Sequence, residues 1–440
     1  MKYHLLTLGC PKNSVDSEGM GSILATQGHT SVDTMEDADV IIVNTCSFIQ
    51  PARDETLDVL YEVAQNKRPH QRLIAAGCLL QSHPHLAQTI PGIDATLSTR
   101  RWMDIGRLVQ APAPAAAPAP PTSYADWRTM PFKRHASTPY AYLKVSDGCN
   151  LHCAFCTIPS IKGPMRSKPV EALCAEARQL VEQGVQELIL VAQHLTDYGR
   201  DLGMPDGLAT LLDALCAAIP AHTWLRLMYA YPHGITPRLV ETMARHPQIC
   251  AYLDMPLQHA HPDTLRRMHR PADVDQTQRT IAHLRQTIPH ITLRSTFIVG
   301  FPGETHAEFQ TLLDFLREMQ FERVGIFPYS REEGTPAATL PGHHAPGTIE
   351  QRWHTAMQLQ QGIAAATNRR WLDKQLAVLI EGEGVVEDGR PLVVGRSFRD
   401  APEIDGQVLL WGNAPIGRVV SAHITETTEY DLWGTLVDEV

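Results

Sequence analysis

The stretch AYLKVSDGCNLHCAFC, residues 141–156, runs a strand-like apolar segment into three cysteines crowded within eight residues. Residues Tyr140–Val145 read as a β-strand, so Cys149, Cys153 and Cys156 fall on the loop at its carboxyl end. In folds built from repeated strand–helix units, functional residues collect at that end of the strands. Thiolates spaced C-x3-C-x2-C suit a soft metal. Zinc is the main rival, but zinc sites usually add a second ligand pair nearby, and His152 is badly placed for this from inside the loop. A four-iron cluster takes one thiolate per iron, so three cysteines leave one iron open.

Beyond this loop the alternation of strand and helix continues. Candidate strands are Tyr140–Val145, Glu187–Val191, Trp224–Tyr229, Tyr252–Met255, Thr292–Val299 and Arg323–Pro328. Amphipathic segments Val170–Glu182, Leu208–Ala218, Pro237–Arg245, Asp275–Thr287 and His306–Met319 lie between them, and a helix Thr348–Trp371 follows. Six such units in series predict an α/β fold with a partial (β/α)6 barrel over residues 136–372. Upstream, residues 1–110 hold strands Tyr3–Leu8, Asp39–Val43 and Arg72–Ala75 with helices Ser14–Thr26 and Arg53–Gln65. That is a smaller parallel α/β domain. Residues 111–135 are expected to link the two, because 111–122 read APAPAAAPAPPT and cannot build a core. Residues 373–440 carry short apolar runs, LAVLIEG, RPLVVGRS, QVLLWG and IGRVVSAHI, cut by glycine turns, and predict a small five-stranded β-barrel.

Composition sets the outer limits. The chain has 440 residues, 43% hydrophobic and 20% charged, as expected of a soluble globular protein of two or three domains. No apolar run approaches the roughly 18 residues of a membrane span, and the N-terminus MKYHLLTLGC lacks a signal-peptide core, so a cytoplasmic protein is expected. Nine cysteines are too few for a disulfide scaffold and suit metal work in a reducing compartment. A net charge of −10 argues against a dedicated nucleic-acid binder.

With C-x3-C-x2-C and an aromatic, Phe155, before its last cysteine, the chain resembles the radical S-adenosylmethionine (SAM) superfamily. The resemblance implies that Cys149, Cys153 and Cys156 hold three irons of a 4Fe–4S cluster whose open iron takes SAM. It also implies reductive cleavage of SAM to a 5′-deoxyadenosyl radical that abstracts hydrogen from the target. The turn IVGFPGE, 298–304, then supplies Gly300 and Gly303 for close approach to SAM, though the same glycines suit an ordinary strand–helix turn. Gln193, Gln258 and His259, near strand ends, and Arg294, within a strand, are candidate SAM or substrate contacts, with a structural role as the alternative for each.

A second set of cysteines narrows the reading. Cys10 follows YHLLTL, Cys46 follows VIIVNT and Cys78 follows RLIAAG, so three strands of one parallel sheet each run into a cysteine. Their thiols are expected to converge on one sheet edge as a second three-cysteine 4Fe–4S site, against the alternative of three core cysteines. Cys174, Cys216 and Cys250 show no such pattern and read as buried structural thiols.

Two such sites and a terminal TRAM-like barrel resemble, over nearly the whole chain, the methylthiotransferase family of radical SAM enzymes. The matching segments are TLGCPKN (7–13), NTCSF (44–48), AGCL (76–79) and KVSDGCNLHCAFCTIPSIKGPMRS (144–167). The resemblance implies an extra sulfur on the second cluster, methylated by one SAM, and transfer of the methylthio group to a carbon activated by another. Part of that family modifies tRNA adenosines and part an aspartate of small-subunit ribosomal protein twelve. GCPKN, TIPSIKG, PLQHA and STFIVGFPGE look like the second branch. Residues 374–440 hold five Lys/Arg against twelve Asp/Glu, a net of −7, which suits a basic ribosomal protein better than tRNA. A merely soluble acidic surface is the alternative on charge alone. A reductant protein, flavodoxin-like or a ferredoxin, is implied as a further partner. A non-catalytic iron–sulfur electron-transfer or scaffold protein is the reading from another class. The chain departs from the branch at His194 and Leu195, where an Asp-Thr pair is usual, at Lys162 and Lys168, where arginines are common, and in the length of its linker.

Overall fold

A computed structural model describes residues 1–110, 126–130, 132–385 and 389–437. The Pro/Ala stretch 111–122 lies outside the described residues. The chain falls into two compact units. The first joins Met1–His135 to Lys144–Glu176 and Ser330–Thr335, and the second joins Ala136–Leu143, Ala177–Tyr329 and Pro336–Val440.

The first unit opens with β1 (Lys2–Thr7), α1 (Pro11–Thr26), β2 (Thr30–Ser31), β3 (Val40–Thr45), α2 (Gln50–Asn66) and β4 (Arg72–Gly77). Short helices α3 (Leu79–Ser82) and α4 (Pro84–Gln88), then β5 (Ala95–Ser98) and α5 (Ile105–Gln110), complete this part. The sheet is parallel, in the order β2-β1-β3-β4-β5. Its central strand, VIIVNT, is buried throughout. Val40 and Ile42 face a core with Met20, Leu24 and Trp102, whereas Ile41 and Val43 face one with Leu60, Leu73 and Leu79. One continuous apolar run thus feeds two cores, as a parallel sheet covered on both faces requires. The edge strands β2 and β5 add to the three expected strands; at two and four residues they are too short to show a period.

The cysteine loop belongs to this unit as well. It follows β6 (Tyr140–Lys144) and contains β7 (Ser146–Asp147), α6 (Ile158–Lys162) and β8 (Arg166–Ser167), leading into α7 (Val170–Glu182). β7 and β8 pair antiparallel, Ser146 opposite Ser167 and Asp147 opposite Arg166, and close the base of the loop. The division into units therefore cuts across the boundaries expected from sequence, grouping the C-x3-C-x2-C loop with the N-terminal sheet. The described end of the expected linker is not a spacer. Arg134 is buried between Glu18 at 2.5 Å and Glu176 at 2.7 Å, and Trp127 lies with its ring centroid 4.6 Å from the Lys144 ammonium.

The second unit carries the six-stranded sheet, ordered β13-β12-β11-β10-β9-β6. Its elements after α7 are β9 (Glu187–Val191), α8 (Gly207–Ala218), β10 (Trp224–Leu227), α9 (Pro237–Arg245), β11 (Ile249–Asp254), α10 (Pro262–Arg267) and α11 (Val274–Thr287). β12 (Thr292–Val299), α12 (His306–Met319), β13 (Arg323–Pro328) and α13 (Pro346–Arg369) follow. The strands from β9 to β13 pair in parallel, which gives the open barrel expected. α12 starts where the sequence says it should, because Thr305 and Glu308 form a capping box.

The tail forms β14 (Gln375–Val385), β15 (Pro391–Ser397), β16 (Val408–Trp411), β17 (Val419–Thr427) and β18 (Leu432–Leu436). They close into a five-stranded barrel around Val378, Ile380, Val408, Leu410 and Ile424. The fifth strand is LWGTL, which lies outside the four apolar runs expected from the sequence.

Candidate metal centres

β1, β3 and β4 are neighbours in the sheet, with Thr7 opposite Asn44 and Thr45 opposite Gly77, so they end at one level. Cys10, Cys46 and Cys78 sit just past those ends, Cys10 and Cys78 as the residues that cap α1 and α3. The turns between are held by buried polar side chains. Asn13 Nδ2 donates to Leu8 O at 2.8 Å and Thr45 O at 3.1 Å, while Asn44 Nδ2 donates to Asn13 O at 3.0 Å and Ser17 Oγ at 2.8 Å. Thr45 Oγ1 donates to Ala76 O, and Thr56 Oγ1 to Cys46 O at 2.8 Å. Ser47 Oγ lies 2.7 Å from Ser82 Oγ, tying the Cys46 turn to the Cys78 turn. Sequence reasoning found the thiols and missed this clamp; the signal was asparagine beside two of the three cysteines, in Cys10-x-x-Asn13 and Asn44-x-Cys46.

The donor set fits a cationic cluster. Burial pushes the Cys78 thiol up to about 12, opposed by the Lys162 ammonium and reinforced by the negative charge of Cys10 and Cys46 as thiolates. Burial raises Cys46 as well. Thiols that resist ionisation because they are buried and repel one another are a donor set that a bound cation stabilises as thiolates. Gly9 supplies the room. It sits at φ +93°, and a Cβ there would lie 2.8 Å from Cys46 Sγ.

The second set lies on the loop closed by β7 and β8. Cys149 N donates to Gly163 O at 3.1 Å, Cys156 N to Cys153 O at 3.1 Å, and Leu151 N to Cys149 Sγ at 3.4 Å. A backbone N–H aimed at sulfur stabilises a thiolate, and these three soft donors fit iron as the first set does. Among the described residues no disulfide is formed; Cys174, Cys216 and Cys250 are buried, as expected of structural thiols. Burial pushes Cys216 and Cys250 up to about 12.

The two cysteine sets are joined by charge. Asp16, on α1, accepts from Lys144 through one carboxylate oxygen and from Lys162, at 3.0 Å, through the other. Lys162 also donates to Thr99 Oγ1 at 2.7 Å, and Asp147 lies 3.6 Å from Lys162 and 3.5 Å from Lys144. Burial works against the charge on Lys162, but Asp147 and Asp16 outweigh it and hold its pKa well above the ordinary value.

The residues read as SAM contacts belong to the second unit and are described within it. Gln193 and Gln258 follow the carboxyl ends of β9 and β11. Gln258 adopts φ 77° and bridges to Phe297. Arg294, third in β12, donates to Asp254 at 2.8 Å and lies 3.4 Å from Asp405, so its charge is already matched. His259 is 2% exposed. Its Nδ1 accepts from His261 N at 3.0 Å, which leaves Nε2 to donate to Glu304 at 3.3 Å, a structural arrangement. Gly300 donates its N–H to Glu304, and a Cβ there would meet Ile349 at 2.6 Å; Gly303 donates to Gly342 O at 2.9 Å. The freedom of these glycines thus serves the turn and its packing on α13.

Comparisons with known proteins bear on the same segments. Residues 2–98 match uncharacterized protein family UPF0004, residues 143–316 the radical SAM superfamily and residues 374–437 the TRAM domain. Among solved structures, a radical S-adenosylmethionine methyltransferase, TsrM, from Kitasatospora setae is similar with a TM-score of 0.58 at 14% identity. The likeness covers 82% of this chain and 89% of that one, and is a likeness of fold. Ribosomal protein uS12 methylthiotransferase RimO of Roseiflexus sp. (strain RS-1) is 62% identical over 100% of this chain and 98% of its own length. The protein of that name from Heliobacterium modesticaldum is 43% identical over 100% of this chain and 96% of its own length. Identity at this level from the first strand to the last barrel strand, through both cysteine sets, places the chain in the family of ribosomal protein uS12 methylthiotransferases, RimO.

Proposed function

We propose that the chain inserts a methylthio group at the β-carbon of an aspartate in the small-subunit ribosomal protein uS12, consuming two SAM. The observation that carries this reading is the pair of three-cysteine sets within one compact unit. Cys149, Cys153 and Cys156 hold one 4Fe–4S cluster and Cys10, Cys46 and Cys78 the other. When bound, the first supplies the electron that cleaves SAM and the second carries the sulfur that is methylated. The chain's own residues orient and shield. The buried clamp of Asn13, Asn44 and Thr45 fixes the turns that present the sulfur ligands, and the β7–β8 ladder fixes the loop that presents the others. We assign SAM contacts to Gln193, Gln258, Arg294, Gly300 and Gly303, and domains to 1–110, 111–135, 136–372 and 373–440. A flavodoxin-like protein or a ferredoxin serves as reductant, tRNA is not the substrate, and the protein acts in the cytoplasm. Among the described residues no helix is long and apolar enough to cross a membrane.

The test is iron content and mass. Anaerobically purified protein should hold about eight irons per chain, two four-iron clusters. Replacing Cys10, Cys46 and Cys78 by alanine should leave about four, with SAM cleavage retained and methylthio transfer lost. Replacing Cys149, Cys153 and Cys156 should abolish SAM cleavage. Methylthio mass appearing on tRNA but not on uS12 would reassign the substrate, and no SAM cleavage under strong reductant would leave an electron-transfer protein.

A further inference from the structure

Of the charged clusters in the molecule, one lies between the two cysteine sets. Asp16 stands six residues after Cys10 on the helix that Cys10 caps. Lys144 ends β6, five residues before Cys149, and Lys162 ends α6, six residues after Cys156. The two lysines bracket the C-x3-C-x2-C loop, and a single carboxylate grips both. The side chains are 2% exposed for Asp16, 2% for Lys144 and 5% for Lys162. With Asp147 included the group is neutral, two cations against two carboxylates.

We infer that Asp16 is a positioning residue that fixes the radical-cluster loop against the strand ends bearing Cys10, Cys46 and Cys78. The inference rests on the two-cluster reading above. Stability alone gives little reason for such a group, since apolar packing in place of a buried ion pair is often neutral or better. What an ionic bridge adds is direction. Each ammonium must meet a particular carboxylate oxygen, whereas apolar side chains tolerate a slip. Position matters here because the methylthio group formed at one centre must meet a carbon activated at the other, and misplacement by about 1 Å can cost on the order of 100-fold in rate. Thr99, just past the end of β5, receives the third contact of Lys162, so the bridge engages both α1 and the end of β5.

The test uses the reconstituted full chain. Asp16→Asn leaves two buried ammonium groups against one carboxylate and can fail to fold, so the decisive variant is Asp16→Asn combined with Lys162→Gln. That pair keeps Lys144 against Asp147 in balance while cutting the bridge. Iron content and thermal midpoint are expected to stay near the parent's, at about eight irons. Two readouts should move. The 5′-deoxyadenosine released per methylthio product should rise at least about tenfold, as radical formation uncouples from transfer. The electron paramagnetic resonance spectrum of the dithionite-reduced protein should change where it reports magnetic interaction between the two clusters. An unchanged ratio with an unchanged spectrum overturns the inference. So does loss of iron from the balanced double variant, which would make Asp16 a folding residue. A parent chain with about four irons overturns the two-cluster reading itself, a separate outcome read before any variant is made.

Discussion

His194 shows what burying an imidazole without a hydrogen-bond partner costs. Its ring is 9% exposed, lies 4.9 Å from the Tyr231 ring, and has no hydrogen-bond partner for Nδ1 or Nε2 among the described residues. Burial lowers its pKa to about 4; Asp197, 3.9 Å away, opposes the shift, and Arg270 and Arg200 reinforce it. Between pH 6.5 and about 4 the unfolded chain therefore binds a proton that the folded chain refuses. Stability is free of this penalty above pH 6.5 and falls as the pH drops, by up to on the order of 3 kcal/mol for this group. His194→Phe, which keeps the ring and removes the titration, should gain thermal stability relative to the parent as the pH is lowered through that window. Melting curves at several pH values check this, and a constant difference between the two proteins would rule out His194 as the source. The position was visible in the sequence as a residue out of place; its want of a partner was not, because that depends on neighbours from β10 and beyond.

Among the turns that present the cysteines, the one at the end of β4 is tightly constrained. Gly77 sits at φ +104°, and a Cβ there would lie 2.5 Å from both Asn44 Oδ1 and Thr45 O. The second of these is backbone and cannot move aside. Gly77→Ala should combine backbone strain of about 1–3 kcal/mol with that clash and shift Cys78 from its place. Iron per chain should drop from about eight toward about four, while SAM cleavage at the other loop persists. Full iron loading of the variant would show the turn to be dispensable. Elements with explicit end signals were legible in the sequence, whereas others owed their ends to distant partners. β9, β12, β13, α7, α9 and α12 have the bounds expected. α1 begins at Pro11 rather than Ser14, since proline suits the first helical turn that Cys10 caps. α2 begins at Gln50 rather than Arg53, because Glu332 accepts from Gln50 N at 2.9 Å and pairs with Arg53 at 2.5 Å. No local pattern reveals a partner some 280 residues away. The candidate centres divide likewise. Each cysteine was legible from its place after a strand, but Asp16 and Lys144 look like ordinary surface residues until the fold buries them.

Burial also changes what the acidic tail presents as a whole. Two of its five cations point inward. Arg396 pairs with Glu187 at 2.6 Å, beside Arg226, which pairs with the same carboxylate at 2.6 Å, and Arg399 donates to Asn368 at 2.8 Å. The loop between β15 and β16 adds Asp400, 2.6 Å from Arg323, and Asp405, which accepts from Tyr252 at 2.6 Å. Burial raises the pKa of Asp405 despite Arg294 and Arg323 nearby. The barrel is thus tied to the six-stranded sheet by charges that contribute nothing to its outer face. Glu383, Glu403, Glu426 and Glu429 remain exposed, against exposed Lys374, Arg390 and Arg418. An acidic surface favours a basic protein over a phosphate backbone. Replacing Glu383, Glu426 and Glu429 by glutamine should raise the KM for uS12 several-fold and flatten its rise with ionic strength, leaving kcat and iron content near the parent's. The salt dependence is the discriminating part, because a lost shape contact would weaken binding equally at low and high salt. An unchanged KM at low salt would mean that the barrel does not meet the substrate, and tighter binding of tRNA by the neutralised variant would identify repulsion of RNA as what the acidic surface accomplishes.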